Sequence, residues 1–338
     1  MKTKTPLSYR NKSVNLLLLG IKDPRPLLCF LAALTMIFVH GCSQENDTVV
    51  VDFSKTVAVE RPGNRPSGHK FLRVAVGAMI SPKETLIYYN QLLDYISDKL
   101  GLEVQLVQRK TYSEINELLG KWQIDLAFIC SGPYVTGKEK YNFELLVTPQ
   151  VRGSKFYQSY LIVNKNSLFN KFDDLRGRVF AFTDPESNSG KLVPAYWLSQ
   201  MGETSESFFE KTIYTYGHDN SIMAVSKSLV DGAAVDSLIW EFYNNKNPVF
   251  TSRTRIIKKS EPYGIPPLVA SRYLSQELKD RIRLMFLTLH KEDEGRRILD
   301  GLMIDRFIEP QEEWYNSIRQ IIQRIATIEK SADALKKF

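Results

Sequence analysis

From Phe71 onward the chain alternates short apolar runs with amphipathic segments, and it does so twice. FLRVAVGAM (71–79), LEVQLVQ (102–108), IDLAFIC (124–130), ELLVTPQV (144–151) and YLIV (160–163) read as strands. Ser81-Pro82, a cap followed by a first-turn proline, opens a helix over 83–100. Leu86, Tyr89, Leu92, Leu93 and Ile96 keep helical spacing there, and Gly101 ends it. A second helix is expected over 111–120. The pattern restarts at RVFAFT (178–183), a helix over Ser189–Gln200, TIYTYG (212–217), a helix over 220–229, GAAV (232–235) and a helix over 237–243. TRIIKKS (254–260) and PPLVAS (266–271) read as returning strands, and 275–288 and 311–328 as amphipathic helices. Strands that alternate with helices and are apolar on both faces predict an α/β fold with mainly parallel sheets covered by helices. Two units of similar size predict two lobes with a cleft between them. In such sheets ligands bind beyond the carboxyl ends of the strands, so the residues after each strand carry the functional question.

A chain of 338 residues is long enough to bury two cores. The formal charge of +7 is concentrated at one end. Residues 1–41 contain Lys2, Lys4, Arg10, Lys12, Lys22 and Arg25 against Asp23, a net of +5, which leaves +2 for the remainder. A nucleic-acid footprint is therefore not supported. The basic segment precedes LLCFLAALTMIFV (27–39), thirteen residues where a membrane span needs about 20, so the run suits a signal peptide. Gly41-Cys42 after it resembles a lipobox, in which Cys42 is lipidated and becomes the mature N-terminus, although His40 departs from the usual small residue. The alternative is an uncleaved anchor. Both place the fold in the cell envelope, facing the periplasm or the outer face of the plasma membrane. The polar linker that follows includes ERPGNRPSGHK (60–70), and TVVVDF (48–53) before it is a candidate edge strand. With Cys29 and Cys42 in the leader, Cys130 is the one thiol of the mature fold, so no intrachain disulfide is expected.

The strand ends are rich in small polar residues. After RVFAFT comes TDPESNSGKLVP (183–194), whose Gly190-Lys191 suggests a phosphate loop. That loop needs glycine at 185 and Ser or Thr at 192, and the chain has Pro185 and Leu192. A Ser-x-x-Lys nucleophile needs Ser at 188, which is Asn. What remains is Ser187-Asn188-Ser189 at a helix start, either a neutral anion site of hydroxyls and free amides or a plain cap. The next strand ends present His218, with Asp219 or Asn220 as the helix cap, and Asp236, either an acceptor for an acidic ligand proton or a cap for the helix at 237. On the other half, Cys130 and Ser131-Gly132-Pro133-Tyr134 follow a strand, Ser81 with Tyr88 and Tyr89 comes after the first strand, and Tyr112 also follows a strand. No ligand spacing for a metal is present, and no cofactor is implied. Ser189, His218 and Asp236 could be drawn as a hydrolase triad, but the serine lacks the G-x-S-x-G elbow.

Taken in order, VAVGAMISP, YYNQLLDYISDKLGLEVQL, KTYSEINELLGKWQIDLAFICSGPYV, DLRGRVFAFTDPESNSGKLVPAYWL, FFEKTIYTYGHDNSIMAV and VDGAAVDSLIWE resemble the substrate-binding proteins of phosphate, phosphite and phosphonate ABC transporters. The likeness covers roughly residues 70–290. It implies a type II periplasmic binding protein with two lobes joined by two hinge strands. It implies that Ser187, Asn188 and Ser189 cradle an oxyanion, that His218 contributes from the next strand end, and that Ser131 and Tyr134 close over it from the other lobe. Asp236 is the one acid available for an amine, which argues against an aminophosphonate. A related branch resembles sensors of arsenite and arsenate that serve histidine kinases, and there Cys130 would be the discriminating ligand.

The organisation expected is a signal peptide at 1–41, a linker at 42–70, a first part of lobe 1 at 71–156, lobe 2 at 157–250, and a hinge return with completion of lobe 1 and C-terminal helices at 251–338. Hinge crossovers are expected near 155–160 and 249–258. The function expected is non-catalytic capture of a small tetrahedral oxyanion by a lipid-anchored monomer. Its partners would be a transporter permease or the periplasmic domain of a sensor kinase, with the membrane reached through the lipid and no role for nucleic acid. The alternatives are arsenic sensing, a phosphoester hydrolase and a structural lipoprotein.

Overall fold

The structure is a computed structural model that describes residues 71–77 and 82–335, with side chains left out at 82–88 and 329–335. The leader, Cys42, the linker, the candidate strand at 48–53 and Ser81 lie outside the described residues. Among those described, no helix is long and apolar enough to cross a membrane.

In chain order the first segment runs β1 (Phe71–Val76), α1 (Pro82–Leu100), β2 (Glu103–Val107), α2 (Tyr112–Gly120), β3 (Leu126–Phe128), α3 (Ser131–Tyr141) and β4 (Glu144–Gln150). A crossover strand follows, β5 (Phe156–Tyr157). The middle segment runs β6 (Ser159–Asn164), β7 (Val179–Phe182), α4 (Val193–Gln200), β8 (Lys211–Tyr214), α5 (His218–Ser226), β9 (Gly232–Asp236), α6 (Ser237–Lys246) and β10 (Thr254–Lys259). The chain returns through β11 (Tyr263–Gly264) to β12 (Leu268–Ala270), α7 (Gln276–Thr288), α8 (Asp293–Leu302), β13 (Arg306–Ile308) and α9 (Asn316–Leu335).

Two sheets result. The first has the order β13-β4-β12-β3-β1-β2 and the second β10-β6-β9-β7-β8. Strands β1, β2 and β3 pair in parallel, as do β7, β8 and β9. Into each parallel group is inserted one strand of the opposite direction, β12 beside β3 and β6 beside β9. Those two strands are the ones that enter a sheet from the other lobe, so their reversal is a consequence of the crossover. The β3 strand is apolar and buried throughout, as a strand covered on both faces must be.

The crossovers pair with each other. Tyr157 stands opposite Tyr263 and Phe156 opposite Gly264 in a two-stranded antiparallel ribbon, the hinge. The second crossover thus lies at 263–264, not at 249–258. The reason is that β10 pairs with β6 inside the second sheet, with Arg255 opposite Val163 and Ile256 opposite Ile162. The C-terminal segment braces the hinge. A side chain at Gly264 would meet Trp314 at 3.0 Å, and from there α9 packs on both α3 and α4. One apolar cluster accordingly runs through both lobes and includes Ala127, Leu161, Phe180, Tyr315 and Ile318.

A buried ion pair ties β1 to the start of β3. Asp125 accepts from the Arg73 amide at 2.9 Å, from its Nε at 3.0 Å and from its Nη2 at 2.9 Å, and Arg73 also donates to the Trp122 carbonyl at 2.8 Å. Asp125 is 1% exposed. Removing one partner leaves the other charge stranded, at a cost of about 3–5 kcal/mol. Asp125→Ala should lower the free energy of unfolding by that amount, read from urea titration followed by circular dichroism. A loss below about 1 kcal/mol would mean the pair contributes nothing net.

Candidate functional site

The loop after β7 meets the starts of α2 and α3, through Asp184 to the Tyr112 amide and through Asn188 to Gly132. Ser187, Asn188, Ser189 and Gly190 are buried. The backbone of 188–192 forms a single wide turn of π type, in which the amides of Leu192 and Val193 reach back to the carbonyls of Ser187 and Asn188. Such turns widen a helix start and often mark functional sites. The Ser187 hydroxyl accepts from the Gly190 amide at 3.0 Å, so Ser187 caps the turn. Gly190 allows this fold, since a side chain there would lie 1.6 Å from Thr183 Oγ1. Asn188 and Ser189 are not caps. Asn188 Nδ2 donates to the Tyr157 hydroxyl in the hinge at 3.1 Å, while its Oδ1 and the Ser189 hydroxyl have no partner within the protein. The carbonyl of Ser189 accepts from the Ser159 hydroxyl at 2.7 Å, which anchors the loop to β6. Lys191 points away, with its ammonium 4.1 Å from the centre of the Phe182 ring.

His218 opens α5, preceded by Tyr216 in the left-handed region (φ 54°). The cap position is Gly217, not Asp219 or Asn220, and Asn220 bonds the Thr215 carbonyl instead. The imidazole is buried. Its Nδ1 accepts from the Asp236 amide at 3.0 Å, so Nδ1 carries no proton and the neutral ring donates from Nε2. Nε2 has no partner within the protein. Burial pushes the His218 pKa down to about 3. Asp236 caps α6, with Oδ1 accepting from the Leu238 amide at 2.7 Å. Burial without a cation pushes its pKa up to about 7, against the opposing pull of the Leu238 and Ile239 amides.

The first lobe meets this loop at the start of α3. A side chain at Gly132 would lie 2.3 Å from the Glu186 carbonyl oxygen and 3.0 Å from the Asn188 amide, so only glycine permits the approach. The buried Cys130 thiol is reached by the amides of Gly132 and Asn188, yet burial outweighs them and pushes its pKa up to about 11. It is a neutral thiol. Tyr112 packs on Cys130, and its hydroxyl has no partner within the protein. Its amide, in the first turn of α2, donates across the cleft to Asp184 Oδ2 at 3.2 Å.

Two expected residues do something else. The Ser131 hydroxyl donates to the Gly264 carbonyl at 2.6 Å, tying α3 to the hinge. Tyr134 packs edge-on against Tyr315, ring centres 4.6 Å apart, with its hydroxyl turned towards Glu312 and away from the loop. The next turn of α3 faces the C-terminal helix, and a strand-end position alone does not reveal that. Tyr157 and Asp184 were not anticipated. Asp184 stands beside the loop in TDPESNSG and its carboxylate was legible as a cap for some helix. Tyr157 comes from a hinge strand, where sequence carries no such signal. Among the described residues no group of three or more His, Cys, Asp or Glu side chains could hold a metal ion.

Asp236 and His218 set opposing pH dependences. A carboxyl raised to about 7 contributes stability that is fully present below about 4 and lost as pH rises through 7. A histidine lowered to about 3 is penalised as pH falls below about 6.5. The stability deficit of His218→Gln relative to wild type should therefore shrink as pH is lowered from 6.5 towards 3. That of Asp236→Asn should shrink as pH is raised from 4 to 7. Urea midpoints across this range check both, and deficits that do not change with pH would refute the assignment.

A family model described as "ABC transporter, phosphonate, periplasmic substrate-binding protein" matches residues 74–315. The chain is 26% identical over 246 residues to the phosphonates-binding periplasmic protein of Escherichia coli K12, covering 71% of this chain and 72% of that one. It is 27% identical over 186 residues to the probable ABC transporter phosphite binding protein PhnD1 of Prochlorococcus marinus, covering 52% and 63%. Among solved structures, a binding protein component of an ABC phosphonate transporter from Pseudomonas aeruginosa superposes with a TM-score of 0.73 at 22% identity, over 78% of this chain and 88% of that one. PhnD1 in complex with methylphosphonate gives 0.70 at 23%, over 77% and 99%. The two-sheet, hinged architecture is shared with both. With a family match running from β1 to the segment before α9, the chain belongs to the periplasmic substrate-binding proteins of phosphonate ABC transporters.

Proposed function

We propose that the protein is a non-catalytic, lipid-anchored binding protein that captures a small tetrahedral phosphorus oxyanion between its lobes and presents it to an ABC transporter. The observation that carries this reading is a set of buried polar atoms without protein partners around one loop: Ser189 Oγ, Asn188 Oδ1, His218 Nε2 and Tyr112 Oη. Buried polar groups are almost always satisfied, so a cluster of orphans of mixed donor and acceptor type fits a ligand. The donors are neutral, which suits an anion that must also leave. Rotation of the Asn188 amide would keep the bond to Tyr157 while turning Nδ2 to the ligand. Protonated Asp236 adds a donor, or accepts from P–OH when ionised.

Capture draws the lobes together at Gly132 and at the bond between Asp184 and the Tyr112 amide, with the hinge as pivot. A phosphorus ligand is favoured over arsenite because the partnerless groups around the loop are oxygen and nitrogen atoms, and among the described residues no second thiol stands beside Cys130. A hydrolase is disfavoured because no nucleophile has its base: His218 Nδ1 is occupied by a backbone amide and Ser189 has no hydrogen bond to Nε2.

Each hydrogen bond to a charged ligand is worth about 1.5–3 kcal/mol. Replacing Ser187 and Ser189 together by alanine should weaken methylphosphonate or phosphate binding by about a hundredfold or more, measured by calorimetry. Undiminished affinity for every phosphorus oxyanion in a folded double variant would overturn the site.

A further inference from the structure

The lobes leave a space of about 120 Å³ that is lined in part by Asp236 of the candidate site. Its described walls are apolar on both sides: Tyr89, Leu92 and Phe128 from lobe 1, and Leu238, Ile239 and Phe242 from α6. Two residues connect it to the candidate site. Asp236 lines the space and holds His218 through its amide. Gly77 lines it too, and a side chain at Gly77 would stand 3.6 Å from the Tyr112 ring. At the rim are Arg152 and Glu241, but they are paired with each other, and Glu241 also accepts from the Tyr160 hydroxyl at 2.6 Å. Their charges are thus committed within the protein.

We propose that this space receives the organic substituent of the ligand, so that the chain selects phosphonates carrying an uncharged, apolar group of several carbon atoms over inorganic phosphate, phosphite and aminoalkyl phosphonates. The inference rests on the oxyanion reading above and adds to it the class of substrate. Roughly 10–15 Å³ of such space admits one water molecule, so 120 Å³ is ample for a butyl or phenyl group. An ammonium group would find Asp236 alone among the described lining carboxylates without a cationic partner, and that carboxylate is already bonded by the Leu238 amide. The apolar walls would strip the ammonium of water without replacing its hydration. Each methylene buried against these walls should instead strengthen binding about fourfold.

Calorimetry on the intact protein with phosphate, methylphosphonate, butylphosphonate, phenylphosphonate and 2-aminoethylphosphonate tests this. The expected order is butyl and phenyl well above methyl, with a gain of at least about tenfold, and aminoethyl below methyl. Ile239→Trp, which fills the space from α6, should abolish the gain for butyl and phenyl while leaving methylphosphonate unchanged. If that variant fails to fold, Phe242→Ala should enlarge the space and shift preference towards the bulkier phenyl group. Methylphosphonate bound as tightly as butylphosphonate, or aminoethylphosphonate bound tightest, would overturn the subsite and leave the oxyanion reading standing. Absence of binding by all five would overturn both.

Discussion

The site exists because two helix starts meet across the cleft with nothing between them but glycine. At Gly132 the first turn of α3 comes so close to the loop after β7 that a methyl group would stand 2.3 Å from the Glu186 carbonyl oxygen. That approach lets amides from both lobes reach the Cys130 sulfur. Alongside it, the Asp184 carboxylate of lobe 2 accepts from the first-turn amide of α2 in lobe 1. A carboxylate at a helix N-terminus meets free amides and the positive end of the helix dipole. Closure therefore uses backbone groups that each helix leaves unsatisfied, and it needs no salt bridge across the site.

Neutrality recurs throughout. The loop has hydroxyls and an amide side chain, His218 is kept uncharged by burial, and the Asp236 carboxyl is raised to about neutral pH for the same reason. In a low-dielectric space a fixed cation would hold an anion tightly, but it would also be costly to bury alone when the lobes open and close. Partial charges from oriented donors avoid that cost. They are also positioned by the fold itself: β6 holds the loop through Ser159, β9 holds His218 through an amide, and the hinge holds Asn188 through Tyr157. Hinge position and loop geometry are thus mechanically linked.

The α/β class was legible because period and length of the apolar runs are local properties. LAF and VFAF are short, wholly apolar runs, and FLRVAV departs from that only at Arg73, whose charge is paired with Asp125. The strand-end argument singled out Ser187, Asn188, Ser189, His218, Asp236, Cys130 and Tyr112, all of which are buried in the structure. It overreached at Tyr134, where the same helix that presents Gly132 to the cleft turns its next face to Tyr315. It also could not see Tyr157, which lies in a hinge strand and not after a strand end.

By itself, the sequence determined most element types, though not α3, α8 or β13, together with the absence of a phosphate loop at Pro185 and Leu192 and the stock of neutral donors. Each of these depends on residues close together along the chain. Tertiary structure alone decided where the hinge lies, because β10 is drawn into the second sheet by pairing with β6, about ninety residues earlier. It also decided which hydroxyls are spent on the fold and which are left over. Ser131 is committed to Gly264, 133 residues away, while Ser189 is not committed to any protein group. Such pairings are set by packing between distant segments, and no periodicity records them.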